Sequence, residues 1–534
     1  MKFVRNALGT ATLAMATAVF VAPHPSFAEE PAKPAVSGAA QQNSQGSEGV
    51  PVETAPTMQR SEAAYAAGDY AKAFEILKPL AGSGDALAQY RLGYMLALGQ
   101  GSEKDVKAAA GWMRKAADQG DASALLQLGV FHLQGAGVDR SEAEAAELFK
   151  LAAEKGNATA QLYVGQMYLA GAGIEKNEVA GLTWIMAAAR SGNAEAQFEL
   201  GRIYATGQGA TKDTKEAGKW FELAAENGLA IAQYTLASNL IAGTGVAKDE
   251  AKAVEWYRKA AEAGMPAAQR DLGGYYLTGS AERQPDYALA YEWTKKAADA
   301  GDAGALSNLG YMYYTGKGVP QDDQRAAETY EKAAGKGLAR SATALGALYE
   351  AGRGVEKSNE KAADWYRKGG LGGDKQAAAR LAAMIVEGSA APTDDADGAF
   401  WVAMAAGEGN LDARKWLEAK AAAGSAPAKA RLAALIDADA QDPANDARAV
   451  ALYHEAAEAG DALAQFELAK KYAAGDGMGQ DYVAAHQWAN IAATDGNEEA
   501  VKMRDNLSKL MTREQIADAQ KKAREWIAKT RDKG

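Results

Sequence analysis

The sequence predicts an all-α solenoid, a right-handed superhelix of about twelve helical hairpins, because three residue types share one period. Glycines suited to a helix end recur at Gly84, Gly120, Gly156, Gly192, Gly228, Gly264, Gly301, Gly337, Gly373, Gly409, Gly460 and Gly496. The step is 36 residues throughout, apart from one of 37 (Gly264 to Gly301) and one of 51 (Gly409 to Gly460). An aromatic anchor keeps the same time: Trp112, Phe149, Trp184, Trp220, Trp256, Trp293, Tyr330, Trp365, Trp401, Tyr453 and Trp488. So does a leucine on the second helix, at Leu92, Leu128, Leu200, Leu236, Leu272, Leu309, Leu345, Leu381 and Leu468, with Val164 replacing it once. A fixed period of roughly 20–50 residues is the signature of stacked repeats.

One copy, DEAKAVEWYRKAAEAGMPAAQRDLGGYYLTG at 249–279, shows why each unit is a hairpin. Asp249 suits a helix N-cap, where its carboxylate accepts from free backbone N–H groups. Trp256, Ala260 and Ala261 then share one helical face. Gly264 suits the left-handed residue after the helix, and Pro266 the first turn of the next. Leu272 and Tyr276 form the stripe of that second helix, which Gly279 ends. The residue after the helix-ending glycine is commonly Asp or Asn, as in Asp121, Asn157, Asn193 and Asp302, and reads as the cap of the second helix. A second series lies seven residues before the aromatic in most units and reads as the cap of the first helix: Asp105, Asn177, Asp213, Asp249, Asp286, Asp323, Ser358, Asp394, Asp446 and Asp481.

The repeated string A-x-x-W-Y-[RK]-K-A-A-x-x-G-[DN]-A-x-A-Q-x-x-L-G-x-x-Y-x-x-G-x-G-V, nearly complete twice in 253–319, resembles the sel-one-like repeat family, a branch of the tetratricopeptide-type helical repeats. The resemblance covers roughly 60–529, and the terminal stretch from Trp488 to Trp526 is similar to the ending of bacterial members. It implies packing roles for the motif residues, Tyr257 and Tyr366 included. It also implies bacterial envelope roles of a scaffolding kind: signalling control, polysaccharide export or host contact. Some members are stapled by paired cysteines; this chain has no cysteine and must hold by packing alone.

In chain order, 1–28 reads as a signal peptide: Lys2 and Arg5, an apolar run Ala7–Val21, and a cleavage site at Ser26-Phe27-Ala28. The run is shorter than the roughly 20 residues that span a bilayer, and without a cysteine no lipid anchor is expected there. Residues 29–59 are rich in Pro, Ser, Gln and Gly and read as a disordered linker. The regular repeats run over 60–424, opening with a first helix at Tyr65–Leu80 that carries Tyr65, Phe74 and Leu77. An inserted helix, at about 427–439, and an acidic loop account for 425–446. The final repeats and a C-terminal capping helix occupy 447–534; that helix opens with the capping box Thr512-x-x-Gln515 and carries Ile516, Ala519, Ala523, Trp526 and Ile527 on one side. The length far exceeds a single ordinary core, which a stack of neighbour-only contacts tolerates. An exported protein, periplasmic or secreted, is expected, and no segment after the signal peptide is apolar enough to span a membrane. A formal charge of −11 without a basic run argues against nucleic acid.

Residues with catalytic potential are few. Of four histidines, His24 leaves with the signal peptide, His132 fills the slot held by Tyr168, Tyr204, Tyr276, Tyr313 and Tyr349, and His454 and His486 lack acid or cysteine at ligand spacing. No metal site, cofactor or Ser-His-Asp triad is expected. Ser358-Asn359-Glu360-Lys361 matches the S-x-x-K of serine β-lactamases, but S-D-N and K-T-G are missing and Ser358 stands at the N-cap register. The pairs Gly135/Gly137, Gly171/Gly173 and Gly316/Gly318 lack the ending of a phosphate loop and read as inter-repeat turns. Asp395-x-Asp397-Gly398 lacks the glutamate of a calcium loop.

What remains is a surface. Tyr275, Tyr287, Tyr291, Tyr311 and Tyr314 exceed the packing slots. Tyr and Arg are the usual make-up of an interaction hot spot, so Tyr275, Tyr311 and Tyr314 with Arg258 are the candidate partner-binding residues, with Arg367 a further candidate neighbour. The bland alternative is that these tyrosines fill gaps between small alanines. The leading expectation is a non-enzymatic scaffold or regulator that grips an envelope protein. The second is a module binding cell-wall glycan or peptidoglycan through sugar–aromatic stacking. An envelope hydrolase is third. The structural anchors are Trp112, Trp184, Trp220, Trp256, Trp293, Trp365, Trp401 and Trp488.

Overall fold

A computed structural model describes residues 56–279, 283–438 and 443–531; the expected signal peptide and most of the expected linker lie outside them. The chain forms two compact units, divided between Ala268 and Gln269. Among the described residues there are 27 α-helices, one short 3₁₀ helix (Ala493–Asp495) and no strand. Most helices have 13 residues, and each packs on the next from Met58–Ala66 to Glu250–Glu262 in the first unit and from Tyr287–Asp299 to Glu498–Ser508 in the second.

Local chemistry explains the hairpins. Asp121, Asn157 and Asp302 accept from the N–H three residues on, at 2.7, 2.9 and 2.8 Å, and Asp105 does the same for Ala108 at 2.8 Å. The twelve periodic glycines all adopt left-handed φ, between 83° and 102°. The Gly-x-Gly pairs are turns. Gly318 stands at φ 75°, and a Cβ there would collide with the Tyr287 carbonyl oxygen at the start of the preceding first helix, Tyr287–Asp299.

Several expectations need correction. Gly68 (φ 77°) and the cap Asp69 break the expected Tyr65–Leu80 helix into Met58–Ala66 and Tyr70–Gly82, so Met58 and Gln59 are helical rather than linker. The cap of Asp323–Gly335 is Asp322, one residue earlier than expected, and Asp323 instead meets Arg353, in the turn after Ala339–Ala351, in a bidentate pair at 2.7 and 2.9 Å. Asp446 is no cap, since Pro443–Glu458 is helical from Pro443, and 439–442 of the expected acidic loop lie outside the described residues. Ser141, outside the expected series, caps Glu142–Glu154.

The inserted helix is also a different one. Ala426–Ala438 packs on both Asp395–Gly407 and Pro443–Glu458, as a regular second helix packs on the helices before and after it. Leu411–Ala422 packs on Asp395–Gly407 and Ala426–Ala438 but forms no comparable seam with Pro443–Glu458, so it is the extra element. At the C-terminus, Thr512 and Gln515 exchange capping bonds at 2.8 and 3.2 Å. The helix Arg513–Arg531 covers Tyr482–Ala492, with Ala519 and Ala523 buried and the Trp526 and Trp488 rings 5.7 Å apart, edge to face.

The aromatic series merges two neighbouring positions. The residue after the tryptophan is the more deeply buried one: Met113, Ile185, Phe221 and Tyr366 are buried, whereas Trp112, Trp184, Trp220, Trp256 and Trp365 are half-buried. Phe149, Tyr330 and Tyr453 belong to this deeper position. Of the eight tryptophans expected as anchors, Trp293, Trp401 and Trp488 are buried. The deep residue seats against a glycine in the preceding second helix, and a Cβ at Gly129 would stand 2.6 Å from the Phe149 ring. Three of the half-buried tryptophans carry a lysine three residues on: Lys115 over Trp112 (3.8 Å), Lys259 over Trp256 (3.8 Å) and Lys368 over Trp365 (3.9 Å). Such contacts are worth about 0.5–1 kcal/mol at exposed sites.

Candidate functional site: tyrosines under cations

In the second unit, Ala303–Thr315 carries Tyr311 and Tyr314 of the expected surface, and Tyr287–Asp299 carries Tyr287 and Tyr291. Tyr311 is 38% exposed. Its hydroxyl accepts from Lys317 Nζ at 2.9 Å, a bond that raises the lysine pKa. The same ammonium lies 5.1 Å from the Tyr311 ring and 5.4 Å from that of Tyr287, so one cation joins two phenols. Tyr314 is half-buried and packs on the core around Leu309, Tyr330 and Leu345. Arg353, held by Asp323, covers its ring at 4.1 Å. Tyr330 lies within electrostatic reach of both phenols, and its pKa is raised chiefly by burial. Nearby, the Tyr313 hydroxyl, 3.5 Å from that of Tyr291, pushes the Tyr291 pKa up to about 12, burial adding to it.

Tyr275 stands apart. Arg283 covers its ring at 3.5 Å and donates to its carbonyl at 2.7 Å. Among the described residues, no hydrogen bond or ring contact joins it to Tyr311 or Tyr314. The three candidate tyrosines therefore stand in separate patches, each under its own cation. Arg258 is exposed on Glu250–Glu262 in the first unit, and Arg367 is committed to Asp397 (2.9 and 3.1 Å) and Asp364 (3.0 Å). Sequence reasoning missed Lys317 and Arg353. Lys317, six residues after Tyr311, was readable; Arg353 comes from the next hairpin and depends on the seam.

The other candidates are structural. Ser358 Oγ accepts from Lys361 N at 3.2 Å, as an N-cap. His132 donates from Nδ1 to the Asp139 carbonyl and accepts at Nε2 from Arg114, both at 3.1 Å. His486 is buried, 3.0 Å from Ser508 Oγ, and burial lowers its pKa. Asp397 accepts from Arg367, Trp401 Nε1 (2.8 Å) and Thr393 N (3.0 Å) rather than serving a cation loop. Among the described residues, no cluster of three His, Cys, Asp or Glu could hold a metal ion, and no helix is long and apolar enough to cross a membrane.

Tandem hairpins of this length, closed by seams of glycine and aromatic side chains, define a helical-repeat scaffold. The Sel1 repeat pattern matches eleven segments, continuous from 86 to 410 and again from 426 to 497, and the chain belongs to that family. The gap at 411–425 coincides with the inserted helix Leu411–Ala422. Among solved structures, a protective antigen of uropathogenic Escherichia coli strains with an SLR fold is 31% identical with a TM-score of 0.57, over 85% of this chain and 94% of that one. A Sel1 repeat protein from Oxalobacter formigenes is 30% identical, with a TM-score of 0.43, over 58% of this chain and 89% of that one. No curated protein sequence matches the chain. Sel1 repeats are helical scaffolds, generally non-enzymatic, that typically bind other proteins.

Proposed function

We propose that this chain is an exported scaffold without catalytic activity that holds a protein of the bacterial envelope on its repeat surface. The observation that carries the reading is the exposed Tyr311 ring tied through Lys317 to Tyr287, with Tyr314 under Arg353 on the same helix. Tyrosine beside a cation can be buried by a partner and still be hydrated when free. Export is supported by Lys2 and Arg5 ahead of the Ala7–Val21 run and the site at Ser26-Phe27-Ala28. The E. coli relative's being a protective antigen accords with it.

The test pairs cell fractionation with cross-linked capture from envelope extract. The expected result is a protein beginning at Glu29 outside the cytoplasm, whose principal partner is lost in Tyr311→Ala at an unchanged melting temperature. Retention on purified peptidoglycan, with no Tyr311-dependent protein partner, would favour a glycan binder and refute the proposal.

A further inference from the structure

The first unit contains a groove built differently from its counterpart three repeats later. It is open, of about 770 Å³, between Thr214–Glu226, Ala230–Ala242 and the start of Glu250–Glu262. Its floor is apolar: Leu236, Leu240, Val246 and the half-buried Trp256. Its rim carries Lys215, Lys219, Lys248 and Lys252 against Glu222 and Asp249. Asp249 is already engaged, capping its helix through Lys252 N (3.0 Å) and lying 3.6 Å from Lys252 Nζ. Lys219 leans on Glu216 at 2.8 Å, while Lys215 and Lys248 have no carboxylate partner among the described residues. The rim is thus net cationic in a chain of formal charge −11.

In the second unit, the groove at the same repeat register has about 220 Å³. Tyr349 stands there in place of Leu240 and fills the floor, while Gln324 replaces Lys215 and Glu328 replaces Lys219. Lys361, the counterpart of Lys252, lies 5.5 Å from the Tyr349 ring. Two departures from the repeat therefore coincide in the first unit: a tyrosine slot cut back to leucine, and acidic or neutral rim positions turned to lysine.

We propose that this groove binds an acidic peptide segment carrying one large apolar side chain. Its volume falls in the range of ligand pockets, roughly 300–1,000 Å³. Leu236, Leu240 and Val246 offer no hydrogen bond to a sugar hydroxyl but would bury an apolar side chain. Four flexible ammonium groups around the mouth match flanking carboxylates and would speed their encounter. The proposal rests on the reading of the chain as a protein-binding scaffold but uses none of the tyrosine surface, so the two fail separately.

The test measures fluorescence anisotropy of a labelled, amide-capped hexapeptide, five Asp and Glu residues around one Phe, against the full chain. Binding should weaken about tenfold in Lys215→Glu with Lys219→Glu, and with added salt, because exposed charge pairs are screened. It should also weaken about tenfold when the peptide's Phe becomes Ala. Leu240→Tyr restores the residue used elsewhere in the repeat, so it should fold with an unchanged melting curve yet lose most of the binding. Equal affinity for an uncharged analogue, or affinity unmoved by both variants, overturns the proposal. So does tighter, lysine-dependent binding of an oligogalacturonate, which would make the groove a glycan site. Tyr311→Ala, expected to leave peptide binding intact, separates this groove from the partner surface.

Discussion

Phe149→Ala tests which aromatic position holds the seams together. The Phe149 ring is fully buried, rests on Gly129 of the preceding second helix, and meets the Tyr163 ring edge to face at 5.2 Å. Truncating a buried phenylalanine costs about 3–5 kcal/mol, and an aromatic pair adds about 0.5–1.5 kcal/mol beyond burial, so the upper part of that range is expected. Trp112, one repeat earlier at the neighbouring position, is half-buried with Lys115 over its ring. Half the burial and one exposed cation–π contact put Trp112→Ala at about 2 kcal/mol. Hydrogen exchange followed by mass spectrometry reads both, since neighbour-only coupling should confine the loss from Phe149→Ala to Ala122–Gln134, Glu142–Glu154 and Ala158–Ala170. Equal costs for the two variants, or protection lost evenly from Met58 to Glu262, would refute the assignment of the deep position.

Ser358→Asp should keep stability within about 0.5 kcal/mol, since both side chains cap, and Ser358→Ala should cost about 1 kcal/mol by denaturant unfolding. Labelling of the wild type by a fluorescent penicillin, abolished in Ser358→Asp, would contradict the capping role. Arg380 holds the Glu350 carboxyl below the usual carboxylate range, helped by the Tyr366 hydroxyl at 2.8 Å and opposed by burial. Its contribution, about 1 kcal/mol for a pair this exposed, is complete above the unfolded pKa of about 4.3 and lost as pH falls through the lower folded value. The stability gap between wild type and Glu350→Gln should therefore close on acidification; a gap constant from pH 7 to pH 3 would exclude the linkage. Thr512→Ala should cost about 1 kcal/mol and raise exchange in the first turn of Arg513–Arg531, and an unchanged first turn would show the capping box to be idle.

The fold was legible because every hairpin does the same job with the same residues, so glycine, aromatic and leucine all mark the period. It became ambiguous where two residues satisfy one rule. Trp and the residue after it are both large in many repeats, and only the depth of the seam distinguishes half-buried Trp365 from buried Tyr366. Leu417 and Leu432 each follow a left-handed glycine by eight residues, and both are buried. Which helix continues the stack depends on contact with Pro443–Glu458, which no local pattern records. Asp322 and Asp323 are adjacent potential caps, and the choice left Asp323 for Arg353 thirty residues on.

The sites follow the opposite logic. Periodicity finds what every repeat shares, and shared residues are spent on packing. A surface that distinguishes one repeat from the next must be built from exceptions, and an exception reads as noise until its neighbours in space are known. Tyr311 was visible as a surplus aromatic, but its partner Lys317 gained meaning only when the turn folded back onto the ring. Leu240 stands in a slot that Tyr168, Tyr204, Tyr276, Tyr313 and Tyr349 fill in other repeats. Beside Lys215 and Lys219 it opens a cationic groove, and Tyr349 with Glu328 closes the counterpart. Reading function in a repeat chain therefore means laying its units over one another and asking where two departures meet in the same groove.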